Sequence, residues 1–256
     1  MTTPTPCDRS TLRDGLQQLL DAAGEEGRTV DFWWRDDDAT EPTLALERLL
    51  GIARAFAAPL ALAVIPAGAT RALAERLAES NDVHVLQHGW SHTNHQPAGA
   101  RAAEVGDARP ADVVLQELDG GRIRLEALFG PQFLPVLTPP WNRIAPDVAA
   151  RRGEIGLHGL STFASRVAEP GRVDCHLDPI AWRAGRGYIG DAKALAIAAE
   201  EIDARRDTPV PVGLLTHHLA HDDGVWGFIE TAVAVISAHP AARWAPLPAL
   251  FSAPPA

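Results

Sequence analysis

The chain has 256 residues, 46% hydrophobic and 22% charged. That balance excludes a disordered or fibrous protein, and the length suffices to bury one large core. With 33 acidic against 23 basic residues the formal charge is −10, which argues against nucleic acid or an anionic membrane as partner.

Lys193 is the only lysine, and the two cysteines, Cys7 and Cys175, lie far apart without metal-type spacing. Both are expected as plain thiols. The stretch from Met1 to Leu20 lacks a basic segment followed by an uninterrupted apolar run and a small-residue cleavage site, so cytoplasmic residence is expected. The longest apolar stretch, 55–69, contains Pro59 and Pro66 and is too short for a bilayer, so no membrane span is expected.

Taken in chain order, helical patterns alternate with short apolar runs. A helix is expected over 12–23, then a strand over 30–34 that runs straight into Arg35-Asp36-Asp37-Asp38. The next helix is expected to begin at Thr40-Glu41-Pro42, with proline in its first turn and Leu46, Leu49, Leu50, Ala53 and Phe56 forming its apolar stripe. A strand over 60–65 and a helix over 70–79 follow, then a strand over 83–87 that ends at His88-Gly89-Trp90-Ser91-His92. The stretch 96–110, rich in Ala, Gly, Arg and Pro, reads as a loop.

The helix expected over 111–129 contains Gly120-Gly121, a pair expected to break it. A strand over 133–137 leads into Thr138-Pro139-Pro140-Trp141-Asn142-Arg143, and further strands are expected over 155–161 and 172–177. A helix over 191–206 precedes the strand 212–215, which ends at Thr216-His217-His218; a helix over 225–238, an eighth strand near Arg243 and a proline-rich coil over 246–256 complete the chain. Alternation of this kind predicts one α/β domain over 1–256 with a parallel sheet, and the apolar runs suit strands buried on both faces.

Four polar motifs, each directly after a strand, therefore converge on one rim, where the chemistry of α/β barrels gathers. His88 and His92, four apart, can share a cation. A catalytic divalent ion takes three His, Asp or Glu ligands and keeps an open position, and Asp38, His88 and His92 supply such a set. Three successive aspartates repel one another unless a cation, an arginine or a proton relieves them, so Arg35 is expected to pair with one.

On these motifs the sequence resembles the polysaccharide deacetylase (NodB-like) carbohydrate esterase family. Its Asp-Asp pair, His-x-x-x-His, Pro-Pro-aromatic turn, Trp-containing segment and Leu-x-His ending all have counterparts here, in the same order. The resemblance implies a distorted (β/α) barrel of about seven parallel strands. It also implies Asp37 as general base, Asp38, His88 and His92 as metal ligands, His217 as general acid and the Trp141 N–H as oxyanion donor. An alignment shifted by one would make Asp36 the base and Asp37 the ligand; Ala39, in the place of a small glycine, favours the first.

Two positions depart from the pattern. Thr138 stands where the family has an arginine, leaving Arg35 or Arg143 to orient the base, and Ala181 in Asp178-Pro179-Ile180-Ala181-Trp182 replaces a second acid. Asp178, Asp222 or Asp223 is then the candidate partner of His217. Of the other histidines, His84 is expected as a satisfied core residue, His158 and His176 near the barrel interior, His95, His218 and His221 near the site, and His239 at a helix C-terminus. Trp33, Trp34, Trp90, Trp141, Trp182 and Trp226 are divided between core and a sugar-binding rim.

The implied activity is divalent-metal-dependent removal of an N-acetyl group from an amino sugar, oligosaccharide or related small amide. Zinc is the first candidate, with cobalt, nickel or manganese admissible for this ligand set. A soluble substrate is expected rather than an insoluble wall polymer. The competing readings are an inactive metal- or carbohydrate-binding relative and, last, an amidohydrolase barrel, which would need His-x-His after its first strand. No motif bears on oligomeric state.

Overall fold

Seven strands and eight helices alternate through the described residues, 10–80 and 82–251, of the computed structural model. In chain order they are α1 (Ser10–Glu25), β1 (Val30–Ala39), α2 (Leu44–Ala55), β2 (Leu60–Val64), α3 (Arg71–Leu77), β3 (Val83–His88), α4 (Ala111–Phe129), β4 (Phe133–Thr138), α5 (Pro146–Arg151), β5 (Gly159–Leu160), α6 (Asp191–Ala204), β6 (Val212–Thr216), α7 (Asp223–Ala238), β7 (Ala242–Trp244) and α8 (Leu247–Leu250). Cys7 and residues 252–256 of the expected coil lie outside the described residues.

All named strands pair in parallel, in the order β5-β4-β3-β2-β1-β6, with β7 on the first residues of β1. The sheet curls into a half-barrel. Its gap is bridged by 172–177, which is not a regular strand as expected: Arg172 pairs with Leu160, Cys175 with Phe163 and Leu177 with Leu214, each as an isolated bridge. The fold is the distorted (β/α) barrel anticipated above.

Strand alternation sorts the side chains into two layers. Trp33, Ala61, Ala63, Leu86, Val136, Val173, Cys175 and Leu215 fill the barrel interior, the two alanines leaving room for the indole. The intervening residues, Leu62, Val64, Val85, Val212 and Leu214, pack against the helices beside Leu46, Leu49 and Phe228. Cys175 is a buried free thiol, and burial pushes its pKa upward. No helix among the described residues is long and apolar enough to cross a membrane.

Three local expectations are corrected. Thr43, not Thr40, caps α2, accepting the Leu46 N–H at 3.0 Å, so Pro42 precedes the helix. Helix α4 runs unbroken through Gly120 and Gly121. Gly121 is needed for close packing, since a Cβ there would lie 2.6 Å from Gln87 Nε2 and 3.0 Å from Pro66 Cγ. The chain after Pro246 also forms a short helix, α8, and Phe251 beyond it packs edge-on to Trp33.

Candidate metal centre

The residue at which β1 stops alternating creates the site. Arg35 and Asp37, two apart, share the interior face with Trp33, whereas Asp36 faces the helix layer. Between Asp36 and Ala39 the register against β2 slips by one residue, and Asp38 takes φ 75°. This bulge turns the Asp38 carboxylate toward the same cavity as Asp37, although neighbours in a regular strand face opposite ways.

Asp36 is committed elsewhere. Its buried carboxylate accepts from Thr216 Oγ1 at 2.7 Å, His218 N at 3.0 Å and His218 Nδ1 at 2.5 Å. Burial opposes its charge, but His218 and these hydrogen bonds hold its pKa below the ordinary carboxylate value, while Asp36 in turn raises that of His218 against burial. The pair joins the ends of β1 and β6 on the helix side.

Asp37 is gripped by Arg35 through two parallel bonds, Nε to Oδ1 at 2.8 Å and Nη2 to Oδ2 at 3.0 Å. The buried guanidinium also donates to Ser161 Oγ, Thr162 O and Asn142 Oδ1. Burial alone would lower the Arg35 pKa, but Asp37 outweighs it and the net direction is upward. Arg143 instead donates to Ala102 O.

His88 ends β3 on the interior face. Its Nδ1 lies 2.9 Å from the Thr138 carbonyl; a carbonyl only accepts, so Nδ1 carries the proton and Nε2 faces the cavity with its lone pair. Asp38 Oδ1 is 3.1 Å from His88 Nε2 and 3.4 Å from His92 Nε2, yet it is buried and receives no hydrogen bond from the described residues. One ligand atom from each of Asp38, His88 and His92 lies within 4.8 Å of the others. Two nitrogens and an orphaned carboxylate oxygen turned toward one point fit a divalent cation.

The electrostatics agree. Burial works against the Asp38 charge, yet His88, His217 and His92 hold its pKa well below the usual range. His88 is raised, Asp37 and Asp38 overcoming its burial, whereas burial and the neighbouring His88 lower His92.

His92 is placed by a loop with positive φ at Gly89 (57°) and at His92 itself (57°). Glu104, buried, holds that loop by accepting from Trp90 N at 2.9 Å, Ser91 N at 2.7 Å, Ser91 Oγ at 2.9 Å and Thr93 N at 3.4 Å. A Cβ on residue 89 would lie 2.0 Å from Glu104 Oε2, so glycine is required there.

His217, just past the end of β6, brings Nε2 to 3.9 Å from Asp37 Oδ2, and its buried Nδ1 has no hydrogen-bond partner among the described residues. Its ring meets Trp182 edge-on at 4.7 Å. Of the three acids named for it, Asp222 caps α7 and Asp223 begins that helix. Asp178 is the acid that His217 acts on electrostatically: burial pushes the Asp178 pKa up and the His217 charge opposes this. Trp182 Nε1 donates to Asp178 at 2.7 Å. Trp141 stands at φ 56° with its ring 4.4 Å from that of His92.

These groups line one cleft of roughly 630 Å³, together with Asn142, Arg143, Phe163, Asp178, Trp182, Arg183 and Arg186. The remaining histidines and tryptophans divide plainly. His176 is structural, bonded to Ser165 O and Gly213 N; His158 is exposed rather than near the interior; His84 is half-buried with Nδ1 unbonded rather than satisfied. His239 bonds Asp21, and His221 Nε2 accepts the His217 N–H. Trp33, Trp34 and Trp226 belong to the core.

No family model matches the sequence, and a search of curated proteins finds no match. Solved structures do match. A family 4 acetyl xylan esterase from Clostridium thermocellum in complex with a cobalt ion superposes with a TM-score of 0.54 at 13% identity, over 86% of this chain and 90% of the other. A peptidoglycan N-acetylglucosamine deacetylase bound to an N-hydroxybenzamide gives 0.54 at 14% identity, over 90% and 96% of the two chains. A mutant of a family 4 pseudoenzyme with restored activity gives 0.58 at 14% identity, over 88% and 68%. At such identities the likeness is one of fold: this chain has the fold of the family 4 carbohydrate esterases, the NodB-like polysaccharide deacetylases.

Proposed function

We propose that the protein is a divalent-metal-dependent deacetylase, the whole chain acting as one catalytic domain, that removes an N-acetyl group from an amino sugar, oligosaccharide or related small amide. The observation that carries this reading is the placement of Asp37 and His217, 3.9 Å apart, beside the Asp38–His88–His92 cluster in one cleft. Asp38, His88 and His92 would hold the ion, zinc first and cobalt, nickel or manganese admissible. When bound, such an ion polarises the amide carbonyl and lowers the pKa of water.

The chain's own residues supply the rest. Asp37, fixed by Arg35 and free of other donors, takes a proton from the attacking water as its oxygen bonds the carbonyl carbon. The Trp141 N–H is the donor we assign to the oxyanion that forms. His217 gives its Nε2 proton to the amide nitrogen as the C–N bond breaks, releasing acetate and an amine. Phe163 and Trp182 offer apolar faces to a sugar ring at the mouth. Cytoplasmic residence and a soluble substrate belong to the same proposal.

The competing reading, an inactive binding relative, draws on the changes at Thr138 and Ala181. Arg35 meets the carboxylate that an arginine at the first position would orient, which answers that change; at the second, Asp178 stands beside His217 in the cleft. We expect Asp37→Asn to retain the ion while turnover falls by about 10²–10⁴-fold, and chelation to abolish activity reversibly. Acetate release from N-acetylated sugars, alongside metal titration, checks both; an Asn variant turning over at the parent rate would refute the assignment.

A further inference from the structure

Three guanidinium groups line the cleft and a fourth, Arg101, lies close enough to act on one of them, with no acid among the described residues paired to any. Arg143, Arg183 and Arg186 line it. Arg143 is lowered in basicity by burial first and then by the charges of Arg101 and Arg183. Most arginines elsewhere are tied to acids, as Arg76 is to Glu47, Arg151 to Asp112 and Arg206 to Asp203, and Arg124, which is not, is spent on the Pro66 and Ala69 carbonyls. Among the described residues none of these four forms an ion pair; Arg143 gives one N–H to Ala102 O, and Arg101, Arg183 and Arg186 are exposed.

The acids of the cleft are already engaged: Asp37 by Arg35, Asp38 with the two ligand histidines, Asp178 by the Trp182 and Ile180 N–H groups. On a chain whose net charge is −10, an unpaired cationic rim around one cleft gives a local field opposite in sign to the whole. Such a field concentrates anions and raises on-rates by about 10–10³-fold. The guanidinium fork matches phosphate and carboxylate oxygens in pairs, which a neutral sugar does not exploit. Phe163 and Trp182, 37% and 40% exposed, line the same cleft, Trp182 against the His217 ring, and offer walls for a sugar ring.

We infer that the substrate is an anionic N-acylated amino sugar, whose phosphate or carboxylate group is held by Arg143, Arg183 and Arg186 while its amide reaches the Asp38–His88–His92 centre. This inference rests on the deacetylase reading of the site. Because two of the three arginines are exposed, the preference falls as salt rises.

The test compares kcat/KM of the metal-loaded protein for N-acetylglucosamine, its 1-phosphate, its 6-phosphate and N-acetylmuramic acid, the last separating carboxylate from phosphate recognition. At low salt at least one charged substrate should exceed the neutral one by about tenfold or more. That ratio should shrink at high salt and approach one in an Arg143→Gln/Arg183→Gln/Arg186→Gln variant, whereas Arg71→Gln, on α3, keeps it. Equal kcat/KM for charged and neutral sugars overturns the inference and leaves the deacetylase reading standing. Where no sugar is turned over, that reading is what suffers, and calorimetric titration with the same sugars decides the inference: binding of a charged sugar that the triple variant loses upholds it, and no binding at millimolar concentration overturns it.

Discussion

The carboxylate of Glu104 accepts four hydrogen bonds from the loop that carries His92. Replacing it with glutamine turns an NH2 group toward N–H donors and frees the ligand to wander. Glu104→Gln should therefore weaken zinc or cobalt binding by about 10–100-fold, read by titration without any turnover assay. Nothing in the sequence marks Glu104, an acid in an Ala- and Gly-rich stretch with no periodicity; the candidate ligands were legible because each belongs to a polar motif that follows an apolar run. His221 illustrates the other limit. Burial, helped by His218 and His217, lowers its pKa to about 4, so the folded chain keeps it neutral. Since the unfolded chain binds that proton nearer the ordinary histidine value, about 6.5, its contribution to stability is complete above that pH and is lost as pH falls toward 4. His221→Asn, which can still accept the His217 N–H, should flatten the acid limb of urea-denaturation stability between about pH 6.5 and 4; an unchanged slope would contradict this.

At the scale of elements, the bulge in β1 is what lets two successive aspartates serve one cavity. Strand alternation makes Asp36 and Asp37 opposite in facing, so a one-residue shift of alignment swaps interior for exterior. The sequence left that shift open because three identical side chains carry no phase, and the slip against β2 arises from pairing that only the folded sheet has. The glycine pair of α4 shows the same dependence on context. Intrinsic propensity predicts a break there, but Gly121 sits against Gln87, whose Nε2 donates to Leu118 O at 2.8 Å. Gly120→Ala, which meets nothing within 4 Å, should stabilise by about 0.5–1 kcal/mol. Gly121→Ala should destabilise despite the same gain in propensity, because its Cβ presses on Gln87 and Pro66. Thermal or urea denaturation of the two variants checks the opposite signs.

For the molecule as a whole, alternating helices and short apolar strands made the barrel and the order of its rim motifs readable, because burial on both sheet faces leaves a compositional mark. Closure was not readable in the same way: 172–177 alternates polar and apolar residues as a strand does but forms only isolated bridges to Leu160, Phe163 and Leu214. Hydrogen exchange should accordingly run faster at amides of 173–177 than at those of β1, β2 and β3, where the β1–β6 and β2–β3 ladders are continuous. That seam leads directly into Asp178 and Trp182, whereas Asp38 and His88 stand on the central strands. On warming, the wall beside His217 would fray before the strand ends that carry Asp38 and His88. Under the proposed function, heat-inactivated protein would then still hold the proposed ion, and cooling alone would restore turnover without any need to supply metal again.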